Sequence, residues 1–383
     1  MNLNQKYLKP SIFTSLLIVM GSLWLSACNV DLGASAGLSA SETPTPVPIA
    51  TEAPLLPTPT ATPIPVPAGH IAFISDRDGM KKLYVMNADG SEQHRLTDLA
   101  SEDDMPRWSP DGLQIAFIST VDNNTDIFIY DLGTSALTRV TDDPAKDSAP
   151  CWSPDGRQIV FESFRDSNWE IYSTNADGTN PIRLTDDSSG DNSPAWSPDG
   201  SKIAFISNRF GNSDIFVMDT SGGNLSTLTT SPVPDSDPAW SPDSQNIAFR
   251  TWPTNQQADI CLISRDAVNL QCVAENQGEN GVPVWSPNGQ WIAFYSERGG
   301  TSGLDVINME TKQMVSLFTG SPTKGDPAWL DNVRLAYQAD AGNNMDIFVK
   351  TVASNGNTLL TDGEVVQLTS QSTYDGDPHW TAH

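Results

Sequence analysis

The chain has 383 residues with 47 acidic and 21 basic side chains, a formal net charge of −26 and a pI near 4.2. A surface this acidic repels phosphate backbones and anionic headgroups, which argues against nucleic acid and direct docking to anionic lipid. Basic, cationic or neutral partners remain.

In chain order, Lys6 and Lys9 precede the uncharged run PSIFTSLLIVMGSLWLSA, which ends at Ala27 before Cys28. A short basic end, an apolar core and small residues before a cysteine describe a lipoprotein signal peptide over 1–27, with Cys28 as the lipidated first residue of the mature chain. A transmembrane anchor is the alternative, but the run is marginally short for a span. Its removal takes two lysines and no acids, to −28. Residues 28–69 then read as a tether, with nine prolines between Ser41 and Gly69. Such a segment cannot build a core and leans toward polyproline II, extending about 3.1 Å per residue. The expected location is extracytoplasmic, at a membrane of the cell envelope.

From residue 70 the sequence repeats itself. Trp108, Trp152, Trp196, Trp240, Trp285, Trp329 and Trp380 recur at spacings of 44, 44, 44, 45, 44 and 51. Periods of this size mark a solenoid or a propeller. Each repeat offers four short segments, here A to D. A is the Pro-x-Trp stretch. B is an apolar triplet such as Ile115-Ala116-Phe117 or Ile203-Ala204-Phe205. C resembles Asp214-Ile215-Phe216-Val217, and D resembles Ile182-Arg183-Leu184-Thr185. Aromatic and β-branched content with Gly/Asp turns predicts strands for all four. Ser-Pro-Asp-Gly between A and B and Asn-Ala-Asp-Gly between C and D supply tight reversals. The proline two residues before each tryptophan places A at a sheet edge, as the innermost strand of a propeller blade would be.

The chain enters this pattern at B, with Ile71, and leaves it after a lone A at Trp380. The expectation is therefore an all-β, seven-bladed β-propeller of four-stranded antiparallel blades over residues 70–383. The C-terminal strand would complete the N-terminal blade. An open array would leave two hydrophobic blade faces in water.

The repeated PxWSPDGxxIAF followed by DIFVMD resembles the TolB-type propeller repeat, a WD40-like module, over residues 70–380. TolB itself carries a six-bladed propeller behind an α/β domain. This chain has seven repeats, no such domain, and a lipid anchor with a proline tether, so a role in a Tol–Pal system does not follow. The resemblance implies a scaffold that recruits a protein or peptide.

Cys261 in C and Cys272 in D of one repeat are expected to lie opposite each other, where sibling repeats carry Phe216 or Phe128 and Leu228 or Val140. Outside the cytoplasm this pair reads as a disulfide. Cys151 replaces Ala195 or Ala239 of its siblings and is expected as a buried free thiol.

Related propellers joined to α/β-hydrolase domains carry a G-x-S-x-G elbow. The one match here, Gly33-Ala34-Ser35-Ala36-Gly37, lies in the segment read as a tether, ahead of the repeats and outside any α/β pattern, and the four histidines do not cluster. No catalytic residue, metal ligand or cofactor is assigned, and no enzymatic activity is expected. The expected site is surface. Strand direction puts the D-to-A and B-to-C loops on one end of the ring, where Asp147, Asp191, Asp235, Asp237, Asp326, Asp375 and Asp377 gather beside Phe164, Arg209, Phe210, Trp252 and Tyr374. These twelve are the expected partner-binding residues of a monomeric scaffold. Two alternatives stand. Each Asp caps its own turn or pairs with Arg77, Arg165, Arg209 or Arg298, or the acidic mouth holds a carbohydrate or Ca²⁺-dependent ligand.

Overall fold

The computed structural model describes residues 69–381 apart from 255–256, 276–277, 299–300, 320–326, 341, 343, 356–357 and 361–362. The signal sequence, Cys28, the tether and Asp326 lie outside the described residues.

The strands pair as the repeat demands. His70–Ser75, Lys82–Asn87 and His94–Arg95 are strands B, C and D of a sheet whose A strand is Asp375–Thr381. Ile71 faces Trp380 across this antiparallel seam, so the C-terminal strand does complete the N-terminal blade. Asp103–Trp108, Gln114–Val121, Asn124–Asp131 and Ala136–Arg139 form the next A-to-D sheet. Asp147–Trp152, Gln158–Ser163, Glu170–Asn175 and Ile182–Arg183 follow, then Asp191–Trp196, Lys202–Ser207, Asp214–Asp219 and Ser226–Thr227.

A nine-stranded sheet holds the next two sets. Asp235–Trp240, Asn246–Thr254, Gln257–Ser264 and Gln271–Ala274 are joined to Val284–Trp285, Trp291–Arg298, Thr301–Asn308 and Met314–Thr319. The bridge is Glu279–Asn280, parallel to Ala258 on one side and antiparallel to Glu297 and Ser296 on the other. Ala328–Trp329, Arg334–Asp340, Met345–Thr351 and Val365–Gln367 form the last sheet of the series. Each A strand lies against the A strand of the following repeat, and Ala328–Trp329 lies against Asp375–Thr381, so the order of contacts returns to its start.

The tryptophans explain themselves here. All but Trp196 and Trp380 reach with the indole N–H into the preceding A strand and donate to its main chain. Trp152 bonds Arg107 O at 3.0 Å, Trp240 bonds Ala195 O at 3.1 Å, Trp285 bonds Ala239 O at 3.1 Å and Trp329 bonds Val284 O at 3.2 Å. A buried carbonyl without a donor costs about 1–3 kcal/mol, so a repeated tryptophan is a repeated stitch between blades. The B triplets fill the space between sheets. Ile71, Ala72 and Phe73 are fully buried, as are Ile203, Ala204 and Phe205. A fully buried Phe or Ile contributes about 1.5–3 kcal/mol.

The prolines of strand A sit in a bulge as well as at an edge. Register shifts between Asp104 and Arg107, Ser148 and Cys151, Asn192 and Ala195, and Ser236 and Ala239. The residue before the proline is left-handed at Met105 (φ 52°), Ala149 (51°), Ser193 (54°), Asp237 (55°) and Asp377 (51°). Neither an edge nor a bulge needs a ladder donor from proline. The A-to-B turns close as expected: Gly156 N–H donates to Ser153 O at 2.9 Å with φ 70°, and Ser153 Oγ donates to Asp155 at 2.6 Å.

Cys261 and Cys272 are bonded to each other. Their register differs from the expectation in one respect. Cys261 takes the place of Phe128 and Phe216, but Cys272 aligns with Arg139 and Thr227, because the strand shifts by one residue between Ile260 and Cys261. Cys151 is fully buried and receives the Trp196 N–H at 3.3 Å. It is not a free thiol, which corrects the expectation for it.

Candidate functional site

The end of the ring formed by the D-to-A and B-to-C loops is organised by buried charge. Asp147, Asp191 and Asp375 open their A strands opposite Ser163, Ser207 and Ser75, and all three aspartates are fully buried. Two residues beyond each serine an arginine turns back. Arg165 meets Asp147 at 3.0 Å, Arg209 meets Asp191 at 2.8 Å and Arg77 meets Asp375 at 2.9 Å. Each guanidinium also lies over the aromatic pair of its own blade: Arg165 is 4.4 Å from the Tyr172 ring centroid, Arg209 4.6 Å from Phe216 and Arg77 4.8 Å from Tyr84. A cation held over ring faces and bonded to a buried carboxylate is a rigid clamp for both loops. Burial pushes the Asp147 and Asp191 carboxyls up, and the serine and arginine partners pull them back.

These aspartates are therefore not displayed to a partner. Asp147, Asp191 and Asp375 are neutralised inside the fold, and Arg209 is committed to Asp191. Asp235 is also buried, without such an arginine. Asp237 is buried 3.8 Å from Arg250, whose other face meets Glu279 at 2.8 Å. Asp377 is buried beside Asp104, and its carboxyl is pushed up to about 7 by burial first and by Asp104 second. The expectation that these six acids form an exposed binding set is corrected. A carboxylate buried in this way depends on its arginine, since removal of one partner of a buried pair costs about 3–5 kcal/mol.

The aromatic part of the expected set does reach the surface. Phe210 is 62% exposed and Phe164 43% exposed, while Trp252 and Tyr374 are half-buried. Phe164 packs edge-on against Trp169, 5.3 Å between centroids, and Phe210 leans on Phe216 at 5.7 Å. Cations stand over the others: Arg250 lies 4.2 Å from Trp252, Lys81 4.8 Å from Tyr374 and Lys146 5.8 Å from Trp169. The rim is thus aromatic, and two of these cations are themselves paired with carboxylates, Lys81 with Asp104 and Arg250 with Asp237 and Glu279. Lys81, Lys146, Trp169 and Arg250 were not singled out from the sequence. Their signal was available only once loops were assigned to one end.

Inside the mouth, Glu162 takes the place held by Ile118 and Ile206 in sibling B strands. It accepts Ser148 Oγ–H at 2.5 Å and the Ser193 N–H, on the bulge of the following blade, at 2.9 Å. Gln338 does the same for Asp377 N–H at 3.2 Å. Among the described residues no group of three or more His, Cys, Asp or Glu gathers as a metal site.

This fold and repeat coincide with a known family. The model described as TolB beta propeller domain matches residues 68–236 and 224–382. The chain belongs to the TolB β-propeller family. TolB from Acinetobacter baumannii superposes with a TM-score of 0.53 at 23% identity, covering 65% of this chain and 63% of that one. A puromycin-hydrolyzing peptidase of Mycobacterium tuberculosis superposes with a TM-score of 0.61 at 15% identity, covering 76% of this chain and 50% of that one. An uncharacterized peptidase, YuxL, of Bacillus subtilis (strain 168) is 48% identical over 46 residues, 12% of this chain and 7% of that protein. This TolB-type chain thus matches only a small part of that relative. At these identities the superpositions show the fold alone.

Proposed function

We propose that this TolB-like chain is a seven-bladed, lipid-anchored extracytoplasmic scaffold that captures a protein or peptide on the D-to-A rim and catalyses no reaction of its own. The observation that carries the reading is the set of rim aromatics, Phe164 and Phe210 exposed and Trp252 and Tyr374 half-buried, at one ring end where buried Asp–Arg pairs hold the loops. Aromatic anchors beside cations, presented without much conformational entropy to lose, are the usual energetic centre of a protein interface. The net charge of −26 favours a partner segment that is basic or neutral and that brings an apolar or aromatic side chain to these rings.

The experiment is affinity capture from native membranes, read by mass spectrometry, with the full chain and with a Phe164→Ser, Phe210→Ser, Tyr374→Ser variant. The reading expects one protein enriched by the parent and lost by the variant at unchanged Tm. Equal capture by both would contradict the rim assignment.

A further inference from the structure

Among the described residues, every buried acid that opens an A strand on the rim has a cation except one. Asp147, Asp191 and Asp375 have Arg165, Arg209 and Arg77. Asp103, whose blade has Val121 at the arginine position, faces the buried Lys82 instead. Asp235 pairs across its ladder with Thr251, and two residues further the arginine position is Pro253. A second row of buried acids, in the C strands, follows the rule in part: Asp305 meets Arg298, whereas Asp346 takes Gln367 and Thr369 and no cation among the described residues. Asp126 has Arg139 and Glu170 has Arg183. Asp214 has neither, because register places Thr227 where Arg139 and Arg183 stand.

Asp214 and Asp235, both without a cation, meet. Asp235 N–H donates to Ser213 O at 2.8 Å, the same main-chain stitch that joins Asp191 to Trp169 O in the preceding seam, so Asp235 and Asp214 lie beside each other between adjacent blades. Both are 1% exposed. Neither oxygen of Asp214 has a hydrogen-bond partner, and neither has Oδ1 of Asp235. Burial and the Asp235 charge push the Asp214 carboxyl up to about 6. The nearby side-chain donors are the hydroxyls of Thr229 and Thr251. Thr229 Oγ1 already accepts the Ile215 N–H at 2.9 Å.

We propose that the Asp214–Asp235 seam is a binding site for a divalent hard cation of the calcium class, which replaces the two guanidinium groups that sibling seams carry. Two uncompensated buried carboxylates cost several kcal/mol, and one divalent ion neutralises both. The donor set is all oxygen: two carboxylates, the Thr229 and Thr251 hydroxyls and loop carbonyls. Such a set suits calcium, which accepts irregular geometry, better than zinc, which selects nitrogen and sulfur. Bound there, the ion would clamp two neighbouring blades just below Trp252, as Arg209 clamps its own. The inference stands on the fold and not on the partner-binding reading.

The test uses the metal-stripped full chain at about pH 7.5, well above the Asp214 value, with CaCl₂ as the probe in calorimetry and thermal unfolding. Millimolar Ca²⁺ is expected to give saturable heat with a stoichiometry near one and to raise Tm by about 3 °C or more. The Asp214→Asn, Asp235→Asn double variant should lose both responses. Thr227→Arg restores the guanidinium of the sibling seams, so it should raise Tm without Ca²⁺ and abolish the Ca²⁺ response. No heat and no shift in the parent, or a response that survives in the double variant, would overturn the site. A Tm indifferent to Ca²⁺ that rises only on acidification through about pH 6 would also overturn it, because a shared proton would then neutralise the pair.

Discussion

The indole N–H of Trp108 donates to the carbonyl of His379 at 3.0 Å, across 271 residues of chain. It is the same bond that Trp152 makes to Arg107 and Trp240 to Ala195, between residues only 45 apart. The C-terminal strand therefore occupies the place that an A strand of the preceding repeat holds elsewhere. Trp108→Phe leaves the His379 carbonyl without its donor and should lower stability by about 1–3 kcal/mol, comparably to Trp152→Phe. Denaturant unfolding of the two variants checks this. A much smaller loss at Trp108 would mean that the terminal seam is looser than the others.

The Asp–Arg–aromatic clamps should behave as buried ion pairs. Arg209→Met strands the fully buried Asp191 and is expected to cost about 3–5 kcal/mol, whereas Arg209→Met with Asp191→Asn should recover most of that loss. A double-mutant cycle in urea reads the coupling. An Arg209→Met variant as stable as the parent would show that the pair is solvated.

Acid should stabilise the mouth of the channel. The folded-state carboxyl of Asp377 stands at about 7 against an ordinary 3.8, raised by burial and by Asp104 and opposed by Lys81 and Arg107. A raised carboxyl contributes stability that is full below the unfolded value and lost as pH rises through the folded one, so this contribution should fade between about pH 4 and pH 7. Asp377→Asn should flatten the upper part of that decline, while Asp214, at about 6, still contributes below it. Tm measured across this range in parent and variant decides the matter. A slope unchanged by the substitution would remove Asp377 from the account.

Reduction of the Cys261–Cys272 bond should cost at most about 3 kcal/mol, since its sequence separation is only 11 residues and the two strands are already paired. The Cys261→Ala, Cys272→Ala variant should therefore fold and retain the parent's Tm to within a few degrees. Failure of that variant to fold would assign the bond a larger role than loop closure.

Much of this architecture can be read from the chain because it is written repeatedly. Proline two residues before each tryptophan, the B triplets and the Ser-Pro-Asp-Gly turns place strands A and B, and the offset between Ile71 and Trp380 foretells the joined termini. The left-handed residues at Met105, Ala149 and Ser193 were not legible, because no local propensity favours them and only the bulge demands them. The pairing of the rim aspartates with Arg77, Arg165 and Arg209 was legible only as an alternative to display. Asp147 looks like any turn former until folding brings Arg165, eighteen residues away, against it. The same blindness covered Asp214 and Asp235, whose distinction is what their neighbours lack. Asn280 stands five residues before Trp285, as Asp191 and Asp235 do before their tryptophans, so Glu279–Asn280 opens an A strand. Only its parallel pairing with Ala258 has no pattern to announce it.

The joined ring is the claim on which the rim and its clamps depend, and native-state hydrogen exchange tests it most directly. In the full chain, the His70–Ser75 strand has a partner on each side, Lys82–Asn87 and Asp375–Thr381. Its ladder amides should then exchange only on global unfolding, and deletion of residues 375–383 should expose the alternate amides that face the lost strand. Rapid exchange of those alternate amides in the intact chain, or protection that the deletion leaves unchanged, would contradict the closed ring.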